Sequence, residues 1–73
     1  MEKEFVIRSY GYGELAQLYF KHISKKSATD QFRKWIKSSK KLKYILEELG
    51  YKPRQRILTP RQVREIIEEF GEP

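Results

Sequence analysis

The sequence predicts a small, mainly α domain of about four short helices with a minor two-stranded β element. Apolar residues recur at helical spacing in four segments, and each segment has a capping residue or a glycine at one end. Two short runs, at residues 5–8 and 56–58, have the β-branched and apolar composition of strands. Because 73 residues have room for one hydrophobic core, residues 1–73 are expected to form a single domain.

The beginning of the chain predicts a strand followed by a helix. The strand covers residues 5–8 and is expected to pair with residues 56–58. The first helix covers residues 12–20, where leucines and tyrosine share one stripe. Glu14 stands in its first turn, where a carboxylate interacts favourably with the positive end of the helix dipole.

The second helix is predicted over about residues 28–37, with Ser27 as its N-cap and Asp30 completing an approximate capping box. Its apolar face consists of Ala28, Phe32, Trp35 and Ile36. At 100° per residue, the opposite side carries Arg33, Lys34 and Lys37. The helix is therefore expected to bury aromatic side chains and to expose a row of cations.

The third and fourth helices have clear ends. Residues 42–49 predict helix three from their apolar spacing, and Gly50 is its expected C-terminal cap. Helix four begins with a Thr-x-x-Gln capping box at Thr59, which a proline follows at the first helical position. Its apolar stripe ends at Gly71.

Positive charge is concentrated in the middle of the chain. Between residues 21 and 43 there are nine Lys or Arg residues and a single acidic residue, Asp30. Residues 21–64 carry a net charge of +11 and the remainder −5, which together give the overall +6. A one-sided positive region is typical of a polyanion-binding protein, although a solvated Lys-rich surface has the same composition.

The composition excludes several functional classes. There is no cysteine, and the one histidine, His22, has no second base to act with, so no enzyme is predicted. The acidic residues do not cluster with His22, and we therefore predict no metal, no cofactor and no small-molecule substrate. No apolar run approaches the roughly 20 residues that cross a bilayer. The chain is expected to be cytoplasmic, with no membrane partner.

The basic residues form the candidate site, and double-stranded DNA is the predicted partner. A helix that presents Arg and Lys fits the major groove, and a basic turn beside it can contact a neighbouring phosphate. Arg33 is the predicted base-reading residue, because its fork pairs with two acceptors of guanine. The predicted nucleic-acid-binding residues are Lys25, Lys26, Arg33, Lys34, Lys37, Lys40, Lys41, Arg54 and Arg56.

Three alternatives are open at the level of sequence. Helix three could enter the groove in place of helix two, although its Glu47 and Glu48 would then face phosphates. Acidic residues on helix four oppose the basic middle of the chain, which favours a protein-protein interaction module, either a homodimer or an adaptor. RNA binding would need exposed tyrosines beside lysines, and the candidates are Tyr10, Tyr12 and Tyr44.

Two stretches resemble winged helix-turn-helix domains of the MerR and excisionase types. Residues 12–16 resemble the entry to the first helix of those domains, and residues 56–63 resemble the wing strand that leads into a capped helix. Residues 32–35, Phe-Arg-Lys-Trp, stand where that family has its recognition segment. The resemblance implies a transcriptional regulator or mobile-element accessory protein, with helix two in the major groove and a basic wing at residues 52–58.

Over nearly its full length the chain also resembles a family of short, uncharacterised bacterial proteins of gut anaerobes, a domain of unknown function. The residues that carry this resemblance are Tyr12 to Ala16, Ser27 and Ala28, Trp35 and Ile36, Leu49 to Tyr51, Leu58 to Pro60, and Gly71 to Pro73. This second resemblance implies no activity.

Overall fold

The structure is a computed structural model that describes residues 5–73. Within these residues it has four helices and one two-stranded sheet. The elements in chain order are β1 (Tyr10–Gly11), α1 (Tyr12–Tyr19), α2 (Lys25–Ser38), α3 (Lys40–Glu48), β2 (Ile57–Leu58) and α4 (Pro60–Phe70). The predicted class, mainly α with a minor β element, is confirmed.

The two strands pair where the chain enters α1, and not at the predicted residues 5–8. They are antiparallel, with Tyr10 opposite Leu58. The Tyr10 hydroxyl donates to the carbonyl of Val6 at 2.7 Å, and the Phe5 and Tyr10 rings stack with centroids 5.3 Å apart. Because these contacts hold residues 5–8 against the Tyr10 side chain, the sheet hydrogen bonds begin only at Tyr10.

Helix α2 begins three residues earlier than the sequence predicts. Ser24 is its N-cap, and its hydroxyl accepts a hydrogen bond from the amide of Ser27 at 3.2 Å. Ala28, which is fully buried, already donates its amide to the carbonyl of Ser24 at 2.8 Å. The first turn packs on α1, where Lys25 and Thr29 lie beside Gly13, so Ser27 lies inside the helix. Lys25 and Lys26 are consequently first-turn residues and not part of a preceding loop.

A single residue, Ser39, separates α2 from α3. It is the C-cap of α2 and the N-cap of α3, and its hydroxyl accepts from the amide of Leu42 at 3.3 Å. The same hydroxyl donates to the Glu69 carboxylate of α4 at 3.2 Å. Since the connection is so short, the basic sequence of α2 continues directly into the first turn of α3.

The predicted C-terminal end of α3 and the predicted start of α4 are confirmed, whereas α3 begins two residues before the predicted residue 42 because Ser39 caps it. At the end of α3, Gly50 has φ of 84°, and the amides of Gly50 and Tyr51 donate to the carbonyls of Glu47 and Leu46. Glycine adopts this left-handed conformation without steric cost, which closes a Schellman motif and turns Tyr51 back onto the core. At the start of α4, Thr59 and Gln62 form the expected capping box.

An aromatic cluster joins α2 to α1 and α4. The fully buried Phe32 contacts the rings of Tyr12 and Tyr19, with centroids 5.6 and 5.5 Å apart respectively. Trp35 is half-buried and stacks on Phe70 with a centroid distance of 3.8 Å. The predicted apolar face of α2 is therefore its buried face, and the side with the cations is left to solvent.

Candidate nucleic-acid interface

The solvent side of α2 carries most of the predicted site. Lys26, Lys34 and Lys37 are all exposed. Lys26 and Lys37 are eleven residues apart, which is close to three turns, so they lie along one line of the helix. Lys34 and Lys37 also line one shallow depression with Arg33 and Asp30. We call Lys26, Lys34 and Lys37, together with Lys43 of α3 and Arg54 of the following turn, the basic face.

Arg33 is held in place by the protein. Its Nε donates to the carbonyl of Pro53 at 2.9 Å, and its Nη1 donates to Asp30 at 3.2 Å. Its guanidinium carbon also lies 5.4 Å from the centre of the Tyr12 ring, within the range of a cation–π contact. Arg33 therefore links the turn after α3 to the side of α2, and the bond to Pro53 occupies the Nε–H that bidentate pairing through its Nε–Nη2 edge would need.

The turn after α3 is closed by the side chain of Gln55. The amide of Lys52 donates to Oε1 of Gln55 at 2.7 Å, and Nε2 of Gln55 donates to the carbonyl of Ile57 at 2.7 Å. The same Nε2 donates to Oε1 of Gln62 at 2.7 Å. These bonds give residues 52–57 a fixed conformation although they are mostly exposed and contain no helix.

Gln62 anchors this turn to the core. Its side chain is 1% exposed, and its Nε2 donates to the carbonyl of Leu49 at 3.1 Å. Its Oε1 accepts from Gln55 and also from the amide of Thr59 at 3.1 Å. One buried amide therefore links the end of α3, the basic turn and the start of α4.

The predicted wing at residues 52–58 has a different structure from the hairpin that the resemblance implies. Only Ile57 and Leu58 are in a strand, and that strand pairs with Tyr10 and Gly11. Residues 52–56 form the turn that Arg33 and Gln55 hold. A hairpin needs a second strand from the same segment, and here the chain entering α1 occupies the partner position.

The other four predicted residues lie in three different environments. Lys25 is exposed, but its side chain lies so close to α1 that a Cβ on Gly13 would be 2.7 Å from Lys25 Cε. Lys41 faces away from the basic face and lines a shallow cavity of about 250 Å³ with Glu65, Glu68 and Glu69 of α4. Lys40 and Arg56 are exposed at the first turn of α3 and just before β2.

Two of the three tyrosines expected to be exposed are buried. Tyr10 is 5% and Tyr12 is 3% exposed, whereas Tyr44 is 66% exposed, as predicted. The Tyr12 and Tyr51 hydroxyls share a hydrogen bond, and burial raises the pKa of both phenols, so they are neutral near pH 7. Stacking of RNA bases on these residues is therefore limited to Tyr44.

A groove beside the basic face contains a residue that is not among the nine predicted ones. Lys43 lines it together with Arg33, Lys37 and Glu47, and the groove has a volume of about 350 Å³. Its apolar lining consists of Ile36, Tyr51 and Pro53. The signal in the sequence was the position of Lys43 directly after the buried Leu42, which places it at the border of the buried stripe of α3.

Residues 5–73 contain neither a metal-binding cluster nor a membrane-spanning helix. In this part of the chain, no group of three or more His, Asp or Glu side chains is arranged to hold a metal ion. No helix in the same residues is long and apolar enough to cross a bilayer.

Comparison with known proteins identifies the family. Among curated proteins and among solved structures, no significant match is found. The family model described as "Domain of unknown function (DUF4248)" matches residues 6–73, which is nearly the whole chain. The resemblance to a domain of unknown function is thereby confirmed, and the chain belongs to the DUF4248 family.

Proposed function

We propose that this protein is a non-catalytic DNA-binding domain, related to winged helix-turn-helix domains, that binds duplex DNA through α2. The observation that carries the proposal is the basic face: three exposed lysines on the solvent side of α2, Lys43 in the same groove as Lys37, and the exposed Arg54 next to Pro53, whose carbonyl Arg33 binds. A transcriptional regulator or an accessory protein of a mobile element, acting in the cytoplasm, would use such a domain.

The dimensions of α2 suit the major groove. At 1.5 Å per residue, its 14 residues span roughly 21 Å, and Lys26 and Lys37 are roughly 16 Å apart along the axis. A helix of normal diameter enters a groove about 12 Å wide. Lysines at both ends of the exposed side would then contact the phosphates that border the groove, which positions the helix without reading sequence.

Helix α2 is a better recognition helix than α3. The single acidic residue on the exposed side of α2 is Asp30, and its charge is partly neutralised by Arg33. Helix α3 exposes Glu47 and Glu48, and its Lys41 faces the acidic residues of α4. A phosphate backbone beside α3 would therefore meet two carboxylates, which repel it.

The test is a backbone-amide NMR titration with a duplex of about 20 base pairs, two helical turns. We expect shifts on residues 26–43 and 52–56, and a log K that falls with log salt concentration by roughly 0.9 for each phosphate neutralised. Shifts on α3 with none on α2 would assign recognition to α3. A well-dispersed spectrum without any shift at low salt would contradict DNA binding.

We further propose that Arg33 acts by positioning the basic turn. Arg33→Lys keeps the charge but loses the planar fork that reaches Pro53 and Asp30 together. We expect amide shifts at residues 52–56 in the free protein, and a loss of about 1 kcal/mol in the free energy of unfolding. Duplex affinity should fall by about threefold for all sequences alike, since a loosened turn loses part of its phosphate contacts.

Lys37→Arg is the matched control for Arg33→Lys, because it also exchanges one cation for the other on the same side of α2. Lys37 is exposed, so this control should leave the turn and the stability unchanged. If Arg33→Lys changed the order of preference among duplex sequences and left the free turn unshifted, Arg33 would be a base-reading residue.

A head-to-tail homodimer is a second candidate function. The observation that favours it is the row of exposed or half-exposed carboxylates on α4, Glu65, Glu68 and Glu69, next to Lys41. The basic face of one copy would contact this acidic row of another. Sedimentation without DNA would then show an apparent mass that rises with protein concentration and falls with salt.

A further inference from the structure

We infer that the groove between α2, α3 and the basic turn is a binding site for a single nucleoside monophosphate unit. Its volume of about 350 Å³ lies at the small end of the roughly 300–1,000 Å³ that small-molecule sites occupy. This site goes beyond the proposed duplex binding, because an intact base pair does not enter a groove between helices.

Three cationic side chains that line the groove supply the positive charge to bind one phosphate group. Arg33, Lys37 and Lys43 line the groove from two helices. The hydrogen bonds of Arg33 use Nε and Nη1, and within residues 5–73 its Nη2 has no partner, so this nitrogen is free for a ligand oxygen. Charge-assisted bonds from Arg and Lys to phosphate oxygens are among the stronger hydrogen bonds in proteins.

The floor of the groove suits a nucleobase and not a bare anion. The exposed Pro53, with the edges of the otherwise buried Ile36 and Tyr51, provides apolar lining beside the three cations. Sulfate or inorganic phosphate would leave that apolar surface exposed to water. A nucleobase would cover it, and the hydrophobic effect would then favour binding. The Tyr51 hydroxyl is occupied by its bond to Tyr12, which leaves the ring as the contacting part.

The carboxylate of Glu47 favours a ligand with one phosphate over a ligand with two or three. Glu47 lines the groove one helical turn after Lys43, where its carboxylate can accept from a base amine or a ribose hydroxyl. The same charge repels additional phosphates, so a monophosphate is favoured over a di- or triphosphate. The ligand is a nucleoside monophosphate, either free or as an unpaired nucleotide of a single strand.

The experiment is an NMR titration of the intact chain with deoxyadenosine monophosphate, with inorganic phosphate and with oligodeoxyadenylate. The nucleotide should shift the amide signals of Lys43, Tyr51, Lys52 and Arg54. It should bind about tenfold more tightly than inorganic phosphate, because its base contacts the apolar lining of the groove. Lys43→Ala should weaken nucleotide binding by about tenfold. Glu47→Gln should leave the site intact and strengthen triphosphate binding by about two- to fivefold.

Lys34→Ala is the matched control, because Lys34 is on the basic face but does not line this groove. Lys34→Ala should weaken duplex binding and leave nucleotide binding unchanged. If the parent protein bound the nucleotide but no duplex, the proposed function would fail and this inference would stand. If oligodeoxyadenylate bound but free deoxyadenosine monophosphate did not, and Lys43→Ala weakened that binding, the bound nucleotide would belong to a single strand. Equal affinity for phosphate and nucleotide, or no shift with either at about 10 mM, would overturn the inference.

Discussion

Replacing Lys34 and Lys37 together by glutamate is expected to weaken duplex binding by about 100-fold at moderate salt. Both side chains are exposed on the solvent side of α2, where the proposed interface lies. Each substitution removes one lysine–phosphate contact, whose formation would release a counterion from the DNA. It also adds a carboxylate that repels phosphate. The change is measured as the dissociation constant over a salt series, in which the slope of log K should also decrease by roughly 2.

Arg61→Glu with Arg64→Glu is the matched control for this double reversal. Both arginines are exposed on one face of α4, so the change in net charge is identical. We expect duplex affinity to fall by less than about fivefold, since only the long-range charge changes. Equal losses in the two double variants would mean that net charge, and not the basic face, attracts the DNA. Thermal unfolding of both variants should stay close to that of the parent protein, because exposed positions contribute little.

Gln62→Leu is expected to be the most destabilising of the proposed substitutions, with a loss of about 3 kcal/mol in the free energy of unfolding. Leucine has nearly the right size, but it leaves the Leu49 carbonyl, the Thr59 amide and the Gln55 side chain without their shared partner. A domain of this size has a total stability of only about 5 kcal/mol. The midpoint of thermal unfolding should therefore fall by about 10–20 °C.

Gln31→Leu is the control for Gln62→Leu, because it makes the same chemical change at an exposed position of α2. It should alter the free energy of unfolding by less than about 0.5 kcal/mol. If Gln62→Leu were equally mild, water would be replacing the lost hydrogen bonds, and Gln62 would not anchor the turn.

Several elements could be predicted because their signals are local. The capping box at Thr59, the proline after it and the left-handed Gly50 each act within one turn of chain. The apolar spacing of α2 likewise predicted that Phe32 is buried and that the lysines are exposed. The start of α2 was missed because Ser24 and Ser27 are both acceptable caps, and only packing of the first turn of α2 on α1 distinguishes them.

The candidate site was predicted less completely, since charge in the sequence does not say which way a side chain faces. Lys41 and Lys43 are two residues apart, yet Lys41 lines the cavity beside the α4 carboxylates and Lys43 lines the groove beside α2. Arg33 is the predicted base-reading residue, and nothing in the sequence indicates the contact it makes with the turn after α3. Its bond to the Pro53 carbonyl depends on a turn twenty residues away, which helical spacing cannot reveal.

The sequence by itself determined the four helices, the caps at Gly50, Thr59 and Gly71, the buried face of α2 and the position of the positive charge along the chain. These follow from interactions within one or two helical turns, whose spacing is fixed by the backbone. Only the tertiary structure decided the pairing of β1 with β2, the turn held by Arg33 and Gln62, and the groove lined by Lys43. Each of these depends on contacts between distant segments, which form only when the helices pack around one core.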